Sequence, residues 1–392
     1  MRYVIVGGGV AGTTAAEALR KRDAKSEITL VSEEHHPLYS RVLLPHYLKG
    51  KVPRERVFLK KEAWYGQQQI EWLTGIACEH LDPRNQFVGL TDGRELPYDR
   101  LLVATGGEVR TVDADLRGVS YLRTLDDADH LAQILCEQPA DARAVIFGGG
   151  FIACEYLNLF SHFRLPTTLF HRGAHFWTRS LGEEAGALIA KHLTERGVEL
   201  HTRTQFVNLL GESELTGVVT SQGEHAAHLL GVGIGTSPDF SWLKAAGVDV
   251  GAGVRTNAFL ETNIPHVYAA GDIAEFFDEI VGRHIQAGNW MNAMSQGRAA
   301  AHIMSGEREP FHLVSSYATN ALGLEIIFVG DTLKDAADEV RVLGSVHALG
   351  VTQIFVRQGR VVGGVLIGRN QDRAAITKAI QEQKTASEFE IC

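Results

Sequence analysis

The chain has 392 residues, 45% hydrophobic and 22% charged. That composition excludes wholesale disorder, and at roughly 150 residues per domain the length predicts two or three domains. With 38 Lys and Arg against 47 Asp and Glu, the formal charge is −9 and no long block carries one sign, which excludes a general nucleic-acid binder with its net basic face.

No run approaches the ~18 apolar residues of a membrane span. The first strand is expected to start at Arg2-Tyr3-Val4, so no secretory leader is expected. Cys78, Cys136, Cys154 and Cys392 are scattered, without CxxC or zinc spacing. Isolated thiols fit a reducing compartment, and a cytoplasmic protein is expected.

In chain order, Tyr3-Val4-Ile5-Val6 is a short apolar run that predicts a buried parallel strand. It enters Gly7-Gly8-Gly9-Val10-Ala11-Gly12, and a helical pattern runs from Thr14 to Arg20. The next strand is Glu27 to Val31, and Leu101 to Val103 is another, running into Ala104-Thr105-Gly106. Arg110 to Arg117 is polar and predicts a crossover. The opening grammar then repeats: Ala144 to Phe147, the turn Gly148-Gly149-Gly150-Phe151-Ile152-Ala153, a helix through Phe160, and a strand Pro166 to Phe170. Each copy is the start of a βαβ unit, so two dinucleotide-binding domains in tandem are expected.

Further strands are predicted at Leu229 to Gly235 and at His266 to Ala270, the latter ending in Gly271-Asp272, with a helix from Gly288 to Ser305. From about Ser315 the pattern becomes alternating: Glu325 to Val329, Val351 to Val356 and Val361 to Ile367, the last two joined by a hairpin at Arg357-Gln358-Gly359-Arg360. A helix around Gln371 to Gln383 follows.

In Gly7-x-Gly9-x-x-Gly12 the first glycine permits a tight turn and the second lets backbone approach a pyrophosphate. The third lets helix and strand pack closely, while the helix start supplies N–H donors. Glu33, about 20 residues further on, ends the second strand where a carboxylate can accept from ribose hydroxyls. Its neighbour Glu34 shows how easily such an acid is merely a loop residue. In Gly148-x-Gly150-x-x-Ala153, alanine serves the packing position. The residues ending its second strand are His171 and Arg172, not an acid. A cation there can meet a 2′-phosphate, or both residues are ordinary surface groups, so NAD and NADP stay open.

With these two motifs, Ala104-Thr105-Gly106 and Ala270-Gly271-Asp272 in this order, the chain resembles the FAD-dependent pyridine nucleotide-disulfide oxidoreductase superfamily. The stretch Tyr39-Ser40-Arg41-Val42-Leu43-Leu44-Pro45-His46-Tyr47-Leu48, with Asn289-Trp290-Met291-Asn292-Ala293, is similar to the branch of rubredoxin reductases and the FAD portion of nitrite reductase large subunits. The resemblance implies an α/β fold with two Rossmann-like domains and a small C-terminal α+β domain. An FAD domain over 1–110 and 243–314 is implied, an NAD(P)H domain over 111–242, and a capping or interface domain over 315–392.

It further implies that Gly7, Gly9, Val10, Ala11, Gly12 and Glu33 hold the AMP half of FAD. Arg41 would approach the pyrophosphate or flavin, Ala104, Thr105 and Gly106 would line the cofactor, and Gly271 and Asp272 would serve the ribityl chain. Gly148, Gly150, Phe151, Ile152, His171, Arg172 and Gly235 are the corresponding candidates for NAD(P)H. Trp290 is a candidate to flank the flavin or nicotinamide, as is Trp177, and either can equally be core. Glu155 is the expected catalytic-site carboxylate, orienting the nicotinamide carboxamide.

The chain departs from the pattern in two places. Pro45-His46 stands where the branch commonly has Ser-Lys, so a Lys–Glu pair is absent at that position, and His46 either replaces the lysine or is structural. Residues 34–60 contain no cysteine, so no thiol relay can run there.

The activity expected is hydride transfer from NAD(P)H to FAD, with electrons passed to a rubredoxin- or ferredoxin-like protein or a small-molecule acceptor. Direct reduction of oxygen and a slow redox-sensing flavoprotein are the alternatives. No metal site, no nucleic acid and no membrane span are expected, and a homodimer through the C-terminal domain is a further expectation.

Overall fold

The computed structural model describes residues 1–113, 116–345, 347 and 350–389. The chain divides into two compact units. The first comprises Met1–Ser40, Arg54–Glu108 and Ser237–Ser315; the second comprises Arg41–Pro53, Val109–Thr236 and the chain from Ser316 onward.

Along the chain, β1 (Arg2–Val6), α1 (Val10–Arg22) and β2 (Glu27–Ser32) are followed by α2 (Leu44–Leu48), β3 (Ile70–Thr74) and β4 (Arg100–Val103). After β5 (Val119–Ser120) and α3 (Leu125–Cys136), the opening pattern recurs as β6 (Ala144–Gly148), α4 (Phe151–His162) and β7 (Thr167–His171). Then come α5 (Glu183–Thr194), β8 (Glu199–Thr202), β9 (Leu229–Gly233), β10 (Val267–Ala269) and α6 (Trp290–Met304). The tail holds β11 (Ser316–Ala321), β12 (Leu324–Gly330), β13 (Glu339–Ser345), β14 (Gly350–Arg357), β15 (Arg360–Ile367) and α7 (Arg373–Gln381).

In the first unit a parallel sheet runs β10-β4-β1-β2-β3, with Val4 facing Thr29 on one side and Leu101 on the other. Alternate side chains of β1 feed two cores. Tyr3 and Ile5 pack with Ala11, Ala15 and Leu19 of α1 and with Ala300 and Ala301 of α6. Val4 and Val6 pack with Leu101, Val103 and Val267. Both faces are covered, which is why these strands read as continuous apolar runs.

The second unit repeats the order as β8-β7-β6-β9-β5. In both sheets the glycine-bearing strand is central and its chain-neighbour lies to one side. That is the doubly wound arrangement, with ligand space at the carboxyl ends of the strands.

The tail forms an antiparallel sheet in the order β11-β12-β15-β14-β13. Arg357 pairs with Arg360, and Gln358 (φ 48°) and Gly359 (φ 72°) are both left-handed, as a two-residue hairpin turn on right-twisted strands requires. Ile376 and Ile380 of α7 are buried, and a methyl at Gly364 would lie 2.8 Å from Ile376 Cδ1. The tail joins the rest of the second unit through Asn158 of α4, whose Nδ2 donates to the Asn320 carbonyl (2.6 Å) and whose Oδ1 accepts from Leu322 N–H (3.0 Å).

Several element bounds differ from the sequence reading. The first helix starts at Val10 rather than Thr14, because Gly9 is extended and caps it. The strand expected at Leu229–Gly235 stops at Gly233, and the chain turns at Gly235 (φ 97°). The last helix is shorter than Gln371–Gln383: Asn370–Asp372 is a 3₁₀ turn, where the Asp372 carboxylate is held by Thr352 (2.7 Å) and Arg369 (2.8 Å). The expected crossover Arg110–Arg117 lies partly outside the described residues.

Candidate functional site

The first glycine loop is built by backbone contact. Gly7 (φ 119°) donates its N–H to the Val31 carbonyl (2.8 Å), and a methyl on it would collide with the Ala104 carbonyl, so the end of β4 abuts the loop. A methyl at Gly12 would collide with the Gly7 carbonyl. Gly9 differs, for a methyl there would meet nothing within 4 Å. It caps α1 with no side-chain hydrogen bond, and no acid sits in the first turn of the helix. The N–H groups of Val10 and Ala11 therefore face a space that a phosphate can enter, with the helix dipole favouring negative charge.

Glu33 is exposed at the end of β2. Glu34 accepts from the Tyr39 hydroxyl, which separates two acids that the sequence alone left ambiguous. Ala104, Thr105 and Gly106 (φ 70°) follow β4 directly beside Gly7. On the other side, Gly271 (φ 85°) lies so close to the start of α1 that a methyl on it would be 3.0 Å from Ala11 Cβ. Asp272 is half-buried next to it, and Trp290 is half-buried at the first turn of α6.

The sequence places Gln296 in a stretch, Gln296 to Ala300, that fits the same branch, but gives it no role in a site. This fully buried side chain accepts from Gly271 N–H (2.7 Å), and among the described residues its Nε2 has no hydrogen-bond partner, which for a buried amide calls for an explanation. Loop, exposed acid and orphaned amide fit a dinucleotide with a polar chain passing Gly271.

The second loop has the same construction. A methyl at Gly148 (φ 145°) would collide with the Gly233 carbonyl, whereas one at Gly150 would meet only Trp177 Nε1, at 3.8 Å. Gly150 caps α4 with no side-chain bond and no acid follows in the first turn. Phe151 packs into an aromatic cluster with Trp177, Tyr317 and Phe328, ring centroids 5.0–5.3 Å away, and Ile152 lies under Gly233. These two side chains are packing groups, and their backbone N–H groups are the ones a ligand can use. Trp177 is left-handed (φ 42°), its backbone N–H donates to the Gly149 carbonyl (3.1 Å), and its buried Nε1 has no partner among the described residues. This loop too fits a dinucleotide.

The His171 ring covers Gly149, Nδ1 lies 3.1 Å from the Gly173 carbonyl, and the ring stacks on Phe176. Burial is the main cause that pushes its pKa below the ordinary 6.5, with His175 and Arg172 adding to it. Burial thus disfavours the charged form of His171, and the exposed Arg172 is the permanent cation of this pair. Gly235 is exposed and accepts from Arg110 N–H (3.0 Å).

Arg41 lies in the second unit, where its Nη1 donates to the Arg123 carbonyl (3.2 Å); the structure does not group it with the first loop. Glu155, one turn into α4, lines a cleft of about 680 Å³ together with His46, Lys49 and Asn158. Burial raises its carboxyl above the ordinary 4.5, and the Lys49 ammonium opposes that shift. The cation that acts on Glu155 is therefore Lys49, one helical turn beyond the His46 position where the sequence reading found no lysine.

Among the described residues no cluster of His, Cys, Asp or Glu could hold a metal ion. Burial pushes the Cys78 thiol up to about 12 and raises Cys154 as well, the opposite of an activated thiolate.

The family model described as pyridine nucleotide-disulphide oxidoreductase matches residues 1–297. The chain is 31% identical over 389 residues to the anthranilate 1,2-dioxygenase system ferredoxin–NAD(+) reductase component of Burkholderia cepacia, covering 96% of this chain and 93% of that protein. It is 30% identical to the putidaredoxin reductase of Pseudomonas putida, covering 95% and 91%. A crystal structure of the covalent putidaredoxin reductase–putidaredoxin complex matches with a TM-score of 0.88 and 29% identity, over 96% of this chain and 93% of that one.

Proposed function

The chain belongs to the pyridine nucleotide-disulphide oxidoreductase family, and from that premise we propose that it is an NAD(P)H-dependent FAD reductase serving a small ferredoxin- or rubredoxin-like protein. The observation that carries this is the pair of N-capping glycines, Gly9 and Gly150, each open where a Cβ would stand and each in the loop that leaves the central strand of its own parallel sheet. Bound there, the cofactors supply the redox chemistry, a hydride passing from the nicotinamide to the flavin.

The chain's residues bind and orient. Gly7, Gly9, Val10, Ala11 and Gly12 seat the FAD pyrophosphate on α1, and Glu33 accepts from the adenosine ribose. Ala104, Thr105, Gly106, Gly271 and Asp272 line the remainder, with Gln296 Nε2 donating to the cofactor, and Trp290 completes the set. Gly148, Gly150 and the N–H groups of Phe151 and Ile152 seat NAD(P)H, with Gly235 along its path. Glu155 orients the nicotinamide carboxamide. The high-pKa thiols Cys78 and Cys154 support a route without sulfur.

NADPH is accepted alongside NADH: no carboxylate ends β7 to repel a 2′-phosphate, and Arg172 is available to it. The proposal includes a cytoplasmic location, supported by the scattered thiols. The relatives named as ferredoxin and putidaredoxin reductases support a protein acceptor over oxygen. Stopped-flow reoxidation of the NADPH-reduced protein tests this. A ferredoxin or rubredoxin should accelerate reoxidation well beyond the rate with oxygen alone, and equal rates would refute a protein acceptor.

A further inference from the structure

The cleft that holds Glu155 extends along one face of α4 through Asn158, Ser161 and His162, and its other walls carry His46, Lys49, Lys51 and Arg196. Three permanent cations and two imidazoles thus converge on about 680 Å³, the size of a small-ligand pocket. Among the described residues none of Lys49, Lys51 and Arg196 forms an ion pair with a carboxylate. The single acid in the cleft, Glu155, is held toward its neutral form by burial. In a chain of net charge −9, this is a place where the local sign is inverted, and like charges so gathered repel unless an anion joins them. That repulsion is visible at His46: after burial, Lys49 and Lys51 are the causes that lower its pKa.

The wall is rigid. Asn158 clamps the turn between β11 and β12 at both Asn320 and Leu322. Asn320 Oδ1 accepts from Gly323 N–H (2.8 Å), and His192 Nε2 lies 3.1 Å from the Leu322 carbonyl. Leu322, left-handed at φ 50°, is fixed in place by these contacts. A preorganised, positively charged recess is what recognition of a multiply charged oxyanion requires.

We propose that this cleft binds a small polyanion, a molecule carrying two or more phosphate or carboxylate charges, at a site that adjoins the nicotinamide position assigned to Glu155 above and so rests on that assignment. Lys51 and Arg196 provide the long-range attraction, while Lys49 and the protonated form of His46 close on the ligand. Because binding favours the imidazolium, it raises the pKa of His46, and because it places negative charge near Glu155, it further favours the neutral carboxyl there.

The test is calorimetric titration of the FAD-loaded protein with citrate and, separately, with inorganic pyrophosphate, in wild type and in the double variant Lys51→Gln/Arg196→Gln. Both residues are exposed and neither belongs to a glycine loop, so flavin absorbance and dye reduction by NADPH should be unchanged in the variant. The expected result is saturable binding of both anions in wild type, weakened tenfold or more in the variant and by added salt. The His46 ring resonance should titrate at higher pH with citrate present. Absence of citrate binding, binding of equal strength in the variant, or binding only by an acidic protein would overturn the proposal. Loss of flavin or of dye reduction in wild type would instead count against the redox assignment, so the two failures are distinguishable.

Discussion

At the scale of single residues, the glycines do two different jobs, and the structure separates them. Gly7, Gly12 and Gly148 are glycine because protein backbone occupies the space of a side chain. Gly9 and Gly150 are glycine although protein leaves that space open. Replacing Gly150 with valine should therefore leave the fold and the flavin spectrum intact while NAD(P)H-dependent reduction falls by at least about 100-fold, since a misplaced dinucleotide loses its reacting geometry. Gly9→Val should instead yield protein that loses FAD on gel filtration.

The pair at the end of β7 gives a selective outcome. Arg172→Glu should raise KM for NADPH at least about tenfold and spare NADH, because one ion pair to phosphate is lost and a repulsion gained. Equal effects on both nucleotides would remove Arg172 from the 2′-phosphate site.

Glu155 carries a pH signature. Its carboxyl is raised in the folded chain, so the native state holds a proton that the unfolded state releases, and stability falls as pH rises from the ordinary 4.5 through the raised value. Glu155→Gln removes that penalty. Its melting temperature should exceed that of wild type at pH 8 and converge with it near pH 4, and a constant offset would contradict the burial argument.

At the scale of elements, the chemistry that decides a boundary determines how well it reads from sequence. The two strand–glycine–helix units and the Arg357–Arg360 hairpin were legible because turn geometry dictates glycine, and buried parallel strands dictate apolar runs. Edge strands such as β11 and β13 were not legible: Tyr317 and Val342 alternate with polar residues, and their pairing is set by partners far along the chain. The Asn158 clamp was equally hidden, since it joins α4 to a turn some 160 residues away. Asn158→Ala strips that turn of one donor and one acceptor and should lower stability by about 1–3 kcal/mol, read by urea denaturation. The variant should keep its flavin.

At the scale of the whole molecule, two doubly wound units each carry a helix whose N-capping glycine is open, and burial raises the thiols of Cys78 and Cys154. The candidate sites divided in the same way. Positions where the backbone dictates glycine, such as Gly7 (φ 119°) and Gly271 (φ 85°), stand out in the sequence. Side chains whose meaning depends on burial do not: the orphaned amide of Gln296, and Lys49 acting on Glu155 from a turn beyond the expected position. Sequence spacing carries no information about which polar atom is left without a partner.

The most direct check on the central claim is an anaerobic titration of the purified, FAD-loaded protein with NADPH, and in parallel with NADH, followed by visible absorbance. The flavin band should bleach in proportion to added nucleotide up to one equivalent, with all four thiols still titratable after denaturation and unchanged in number. A flavin band that persists against excess of both nucleotides, or bleaching accompanied by a change in thiol count, would contradict the account.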